Sequence, residues 1–476
     1  MFAGNKNIAS FCCSLGFSVY WAWLFFVLLS GFFSSGHSSS VFDSAWFWST
    51  LGHIAALTAL NALSDRYSPF SRSGLFLFGS SAVSVLGFGV ILYSNMFESL
   101  SNSAFVFGAV TTGIGTSGLL ICWCELYSSL YDGNRKRMLL AIGVIISELL
   151  FLGIVALPRF AMTAVLAVLP FVVVVLVWLG LRHVDAAVAV KHHSEEGRLS
   201  PRFALFCLVY SIPLGFFQIR FLFGVQDPVF SWTMTIAFSL AVLVVIVMID
   251  GFMVSKRDTS IIPKAVIPVA IGGLLLIAAF GDERAAFSGV LVYSAQQLLT
   301  ILLYSEFAKI SHNGRVHPAK VFALGVCLTD GGFVLGMLTG EISISFLGGF
   351  YLEVTLGVVY VVALAGFLLL SWLPREPLLQ DRDDPEPPNA KRNPSLSTSL
   401  QRNIDDAALA YGLTPREREM LQYVLRGKSV PAIASETYLS RNTVKTHIMH
   451  IYAKLDVHSR DELIRFVEDI DLRASL

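Results

Sequence analysis

Charged residues are scarce in this 476-residue sequence: Asp, Glu, Lys and Arg make up 14%, against 55% hydrophobic residues. That balance excludes an ordinary soluble globular protein, in which about a quarter of the residues are charged. Cysteine is also sparse. All six cysteines, Cys12, Cys13, Cys122, Cys124, Cys207 and Cys327, sit inside or beside apolar runs. This excludes the disulfide framework of a small secreted domain, and they are expected to be packing residues. Cys122 and Cys124 have no His or further Cys nearby at ligand spacing, so no metal site is implied there; no cofactor and no enzymatic step is required by the rest of the sequence. The first apolar run, from about Phe11 to Phe33, is too long for a signal-peptide core and lacks a cleavage pattern behind it. It is expected to remain as a first span.

Long hydrophobic runs, by contrast, fill the sequence as far as Trp372. Each is roughly twenty residues, the length that crosses the hydrocarbon core of a bilayer. They place twelve spans near 11–33, 45–63, 74–94, 103–126, 138–157, 160–181, 203–223, 229–250, 264–281, 286–308, 320–340 and 346–373. The longest intervening loop, 182–202, is polar and basic and divides the spans six plus six. Loops on one side hold Arg66, Arg72, Arg135, Lys136, Arg137, Lys256, Arg257 and most other basic residues; the opposite loops hold essentially Arg159 and Arg284. By the positive-inside rule both ends of the chain face the cytoplasm, and the lipid bilayer is the first partner implied.

The two sets of six spans echo one another. Asp65 with Arg72 recurs as Asp250 with Arg257, Glu125 as Glu306, Gly133 as Gly314, and Glu148 as Asp330, at offsets of 181 to 185 residues. This layout resembles the major facilitator superfamily, whose loop between spans two and three carries an Asp-Arg-containing motif. Leu63-Ser64-Asp65-Arg66-Tyr67 through Arg72 is a degraded version that lacks several of the motif's glycines. The resemblance implies the fold, not flux.

Polar groups inside spans are costly and so mark candidate sites. Glu148 and Asp330 fall near mid-membrane. Together with Arg220, Gln296 and Gln297 they form the candidate ligand-sensing set for an unidentified small molecule, the alternative being hydrogen bonds that join helices. Glu125 and Glu306 lie nearer the basic loops, where an ion pair or a cap is expected.

From Pro374 the composition turns to Pro, Asp, Arg, Asn and Ser, and 374–412 reads as a disordered linker. Beyond it, Thr414-Pro415-Arg416-Glu417 combines an N-cap hydroxyl, Pro at the first helical position and a Glu three residues after the cap. It opens a helix to about Arg426. A second helix is expected over Val430 to Thr437, and Ser440 caps a third, the spacing of a helix-turn-helix. Val444, Ile448, Ile451 and Leu455 line one face of that third helix, with Asn442, Thr446, Met449 and Ala453 opposite and Lys445 at the flank. Ser459-Arg460-Asp461-Glu462 opens a fourth.

With these elements assembled, 413–476 resembles the LuxR/NarL-type helix-turn-helix domain. The resemblance runs through Leu413, Thr414, Glu417, Leu421, Gly427, Ile433, Ala434, Thr443, Val444, Lys445, His447, Ile451, Leu455 and Val457. Ala432 and Met449 depart from the pattern. The resemblance implies binding of double-stranded promoter DNA as a homodimer, with the third helix in the major groove. Carried over by position, Lys445, Thr446 and Met449 face bases beside Asn442, and Arg441, Thr443 and Lys454 hold phosphates.

The sequence therefore describes an all-α chain in three parts: a membrane sensor domain of twelve spans (1–373), a linker (374–412) and a DNA-binding domain (413–476). No receiver segment with a phospho-acceptor Asp precedes the last part, so the input is expected through the bundle. The expected function is a one-component transcription regulator of the bacterial cytoplasmic (inner) membrane. The alternative is a major-facilitator-type transporter with a regulatory DNA-binding tail.

Overall fold

The computed structural model describes residues 6–28, 40–96, 102–130, 134–184, 201–223, 228–257, 262–280, 285–314, 316–347, 357, 360, 398–425, 428, 430–437, 439, 441–457, 462–463 and 466–467. The chain divides into two compact units, Met1–Arg382 and Asp383–Leu476. Among the described residues every extended element is a helix, in keeping with the all-α expectation.

In the first unit the long helices are α1 (Lys6–Leu28), α2 (Ala45–Tyr67), α3 (Gly74–Met96), α4 (Asn102–Ser129), α5 (Asn134–Val155), α6 (Arg159–Arg182), α7 (Pro201–Phe223), α8 (Pro228–Arg257), α9 (Ile262–Phe280), α10 (Ala285–Gly314) and α11 (Pro318–Leu347). Helices are the expected solution in lipid, because each satisfies its own backbone N–H and C=O groups. Seven of the eleven have a stretch long and apolar enough to cross a membrane on composition alone, α1, α3, α4, α5, α6, α8 and α11. α2 and α10 are diluted by interior polar residues such as His53 and Asn61 on α2 and Gln296, Gln297 and Glu306 on α10. The expected twelfth span, 346–373, and the 182–202 loop lie mostly outside the described residues.

The packing repeats itself across the two halves. In the first half α1 packs on α5 and α4 packs on α2 and α3; in the second α7 packs on α11 and α10 packs on α8 and α9. Between halves α2 meets α11 and α5 meets α8, and each pair maps onto the other when the halves are exchanged. This is the arrangement that the echo of Glu125 with Glu306 and of Glu148 with Asp330 points to. Glycine makes the tightest crossings possible: a Cβ on Gly336 of α11 would strike the carbonyl oxygen of Ile212 on α7, and one on Gly113 of α4 would strike that of Ser49 on α2. Small residues at such crossings replace the hydrophobic drive that lipid cannot supply.

The two glutamates expected to be structural are so. Glu125 accepts the Phe70 and Ser71 backbone N–H groups at 2.9 and 2.8 Å and the Ser68 hydroxyl at 3.1 Å, capping the turn between α2 and α3. Glu306 lies 3.6 Å from Arg137 and 3.5 Å from Lys309.

In the second unit α12 (Thr398–Ala410) precedes α13 (Pro415–Leu425), α14 (Val430–Thr437) and α15 (Arg441–Leu455). The last three match the expected helix-turn-helix boundaries to within a residue or two. Within the expected linker, 398–410 is helical: Ile404 is buried in one core with Met420, Leu421, Val424 and Ile451, and Ala407 is buried beside it on the same helix. Asn403 Nδ2 donates to the Val467 carbonyl at 3.0 Å, and Arg418 pairs with Asp405, so α12 packs with the helices that follow it. Glu462, Leu463, Phe466 and Val467 are helical, with Leu463 and Val467 buried, while the expected cap at Ser459 lies outside the described residues.

Candidate functional sites

The face expected to read DNA is built on α15. Val444, Ile451 and Leu455 are buried, and Ile448 packs against them, as their spacing predicts. Turning that stripe inward leaves Thr443, Thr446, Met449 and Ala453 exposed on the opposite side, with Met449 at 63%. The side chains of Arg441, Asn442 and Lys445, central to the sequence reading, lie outside the described residues; their backbone is the first turn and a half of α15.

What holds α15 against the rest of the unit is Glu417. The Thr414 backbone N–H donates to its Oε2 at 2.8 Å, and the Glu417 N–H donates to the Thr414 hydroxyl at 3.3 Å, completing the reciprocal capping box. The same carboxylate accepts from Lys454 Nζ at 2.7 Å, and His450 Nδ1 stands 3.7 Å from its other oxygen. Lys454 also donates to the Gly412 carbonyl at 2.9 Å, which ties the end of α15 to the turn before α13. Burial pushes the Glu417 carboxyl up, but the hydrogen bonds from Lys454 and Thr414 and the Lys454 charge outweigh it and hold it at about 2. Lys454, assigned to phosphate from sequence, therefore has two of its three donors committed inside the unit.

The second site is a cavity of about 120 Å3 in the membrane unit, walled by α1, α2, α4, α7, α10 and α11, three helices from each half. Asp330 and Gln296 from the candidate set line it. Asp330 Oδ2 lies 2.7 Å from His53 Nδ1 across the α2–α11 seam. The same seam is closed toward one end by Lys320 and Asp65 at 2.8 Å, and toward the other by Glu341, which accepts from the Ser40 hydroxyl at 3.0 Å and the Val41 N–H at 3.1 Å.

Glu148 and Gln297 are not on the cavity wall. Gln297 is fully buried: its Oε1 accepts from Trp21 Nε1 at 3.0 Å, and its Nε2 donates to the Tyr293 hydroxyl at 2.9 Å and to Glu148 Oε1 at 3.3 Å. Trp21 does line the cavity, so one indole separates the cavity from a carboxyl that is 1% exposed. The adjacent glutamines part company because successive helical positions point about 100° apart. The Arg220 side chain lies outside the described residues.

Sequence reasoning passed over His53, an ionisable group inside a span and so the same signal that singled out Asp330. The density of aromatic residues in the spans is compatible with a ring-lined pocket for a small organic ligand, but aromatics are spread throughout and the sequence does not pick out which rings form it.

Residues 412–467 match the family described as "Bacterial regulatory proteins, luxR family". Over 69 residues the chain is 45% identical to the "Probable transcriptional regulatory protein NarL" of Mycobacterium tuberculosis, covering 14% of this chain and 32% of that protein. Over 53 residues it is 53% identical to the "Uncharacterized response regulatory protein YgeK" of Escherichia coli, covering 11% and 36%. The chain thus spans about a third of the length of the curated relatives it matches. In structure it resembles the human organic anion transporter MFSD10, with TM-score 0.54, 13% identity, and 77% of this chain and 99% of that one covered. It also resembles the major facilitator superfamily proton:xylose symporter XylE, with TM-score 0.51, 12% identity, and 77% and 95% covered. At such identities the likeness is one of fold. The chain is a multi-pass membrane protein that joins a bundle with the major-facilitator fold to a C-terminal helix-turn-helix, residues 412–467, that matches the luxR family of bacterial regulatory proteins.

Proposed function

We propose that the protein is a membrane-bound one-component transcription regulator, in which the bundle senses a small molecule and the C-terminal unit binds promoter DNA as a dimer. The observation that carries this reading is a single chain holding both a polar-and-aromatic cavity between two helical halves and a luxR-family module with an exposed recognition-helix face. The basic bias of alternate loops supports a bacterial inner-membrane location with both ends cytoplasmic, the compartment of the DNA.

On DNA, α15 lies in the major groove, with Lys445, Thr446, Met449 and Asn442 toward bases and Arg441 and Thr443 toward phosphates. Lys454 holds Glu417 and Gly412 and keeps one donor for a phosphate. A ligand acts through different affinity for two arrangements of the halves. The typical coupling of about 1 to 3 kcal/mol changes DNA occupancy roughly 5- to 150-fold.

The test is a genome-wide map of DNA bound by the full-length protein in its own cells, wild type against Lys445→Ala. Discrete promoter peaks that weaken in the variant by roughly 5- to 150-fold, the worth of one good base contact, are expected. Absence of discrete peaks in the wild type would overturn the regulator reading.

A second reading, a transporter whose tail reports flux, is favoured by the buried carboxyl network of Glu148 and the cavity-facing Asp330. Substrate uptake into vesicles, abolished by Glu148→Gln or Asp330→Asn, would establish it; a flux-free protein that still controls promoters would exclude it.

A further inference from the structure

The cavity wall carries one sign of charge. Among its described lining residues Asp330 is the one acidic side chain, and neither Lys nor Arg is present. The nearest basic group is His53, whose Nδ1 is 2.7 Å from Asp330 and whose Nε2 is buried with no hydrogen-bond partner. With the imidazole neutral and donating from Nδ1, Asp330 is the one full charge among the described lining residues.

On the same wall the rings form a continuous band. Tyr304 and Trp21 meet edge to face with centroids 6.4 Å apart, Trp21 and Phe25 at 5.6 Å, Phe25 and Trp46 at 6.3 Å, and Trp46 stacks on Phe333 at 5.5 Å. All five residues line the cavity. Ring faces carry negative quadrupole density, and several of them with a carboxylate are the surroundings that a desolvated ammonium requires. A carboxylate or phosphate ligand would meet the same field as repulsion.

We propose that this cavity binds a small organic cation, an ammonium group on a short carbon chain, held by the Asp330 carboxylate and the ring band from Tyr304 to Phe333. The volume of about 120 Å3 limits the chain. A single water needs roughly 10 to 15 Å3 on the same kind of measure, so a compact solute fills the space and a drug-sized one does not. The inference rests on the sensor reading only for its consequence at DNA; the binding itself stands without it.

The experiment uses full-length protein in nanodiscs, choline chloride as probe and 3,3-dimethyl-1-butanol, its uncharged isostere, as control. Binding is read by calorimetry and by fluorescence, since Trp21 and Trp46 form part of the wall. Saturable choline binding is expected, with the neutral isostere weaker by about tenfold or more, the worth of about one charge interaction. Asp330→Asn should weaken choline by a similar factor and Trp46→Leu by severalfold, while Asp330→Glu retains binding. The comparison of choline with its isostere needs no variant, so it stands even where a substitution disturbs folding.

No saturable binding of choline, or of tetramethylammonium as a smaller probe, would overturn the proposal. So would equal binding of the alcohol, or binding indifferent to Asp330→Asn in a folded variant. Promoter occupancy is measured in parallel: binding that leaves occupancy unchanged upholds the cation site and refutes the sensor reading. Promoter peaks with no binding refute the cation site alone.

Discussion

Replacing Glu417 with Ala should loosen the C-terminal unit by about 2 to 3 kcal/mol, because two functions meet in one carboxylate. It closes the capping box with Thr414, a contribution of about 1 kcal/mol. It also takes a charged hydrogen bond from Lys454, worth about 1.5 to 3 kcal/mol where buried. Lys454 is 35% exposed, so it rehydrates when Glu417 is lost, and the second contribution falls to about 1 to 2 kcal/mol. Acid provides an independent measure. The folded carboxyl is held at about 2, below an unfolded value of about 4.3. A folded value depressed in this way contributes stability that is fully present above about pH 4.3 and is lost as the pH falls toward 2. At about 1.4 kcal/mol for each unit of separation, the contribution is about 3 kcal/mol at most. The assay is urea unfolding of the 398–476 segment, which has its own buried core, at pH 7 and at a series of lower values. The wild type should lose stability steeply between about pH 5 and pH 2, and Glu417→Ala should start lower at pH 7 and lose correspondingly less over that window. A loss under about 0.5 kcal/mol at pH 7, or an unaltered acid slope, would refute the assignment of Glu417 as the clamp of α15.

Three shorter predictions follow from packing. Ile404→Ala should cost the same segment about 2 to 4 kcal/mol in urea unfolding, since Ile404 is fully buried, while Leu409→Ala, at an 89% exposed position on the same helix, should cost little. Equal effects would place α12 outside the unit. Gly336→Ala should lower the thermal stability of the detergent-solubilised protein by about 1 to 3 kcal/mol, because the new methyl meets the α7 backbone at Ile212. Gly89→Ala, where nothing lies within 4 Å, is the control, and matching melting curves would refute the close-crossing argument. In promoter binding by the full-length protein, Lys454→Ala should lower the apparent affinity mainly through loss of folded module, so that osmolyte stabilisation restores most of it; a loss that stabilisation leaves untouched would assign Lys454 to phosphate instead.

Much of this architecture is legible in the sequence for simple reasons. Span positions follow from run length and hydropathy, and the helix-turn-helix from local signals within a few residues of one another: the Thr414 to Glu417 box, the Val444 to Leu455 stripe, and the capping position before Arg441. α12 was hidden by its surroundings. Its buried positions, Ile404 and Ala407, are only a weak stripe beside Gln401, Arg402, Asp405 and Asp406, and Ile404 becomes core only once Met420 and Val424 are brought against it. The candidate ligand set was half legible. Asp330 and Gln296 reach the cavity, whereas Glu148 and Gln297 form a closed network behind Trp21.

By itself the sequence determined what depends on nearest neighbours along the chain and on solvent preference: an all-α chain, a membrane half built as a repeat, and a helix-turn-helix whose third helix has one buried and one exposed face. The tertiary structure decided which polar groups meet. His53 and Asp330 are 277 positions apart and Trp21 and Gln297 are 276 apart, yet each pair is within hydrogen-bond distance. Hydropathy assigns a residue to a helix, but the crossing of two helices, set by where glycine lets their backbones approach, assigns it a partner. For that reason the charge and aromatic character of the cavity appear only when the two halves are closed on one another.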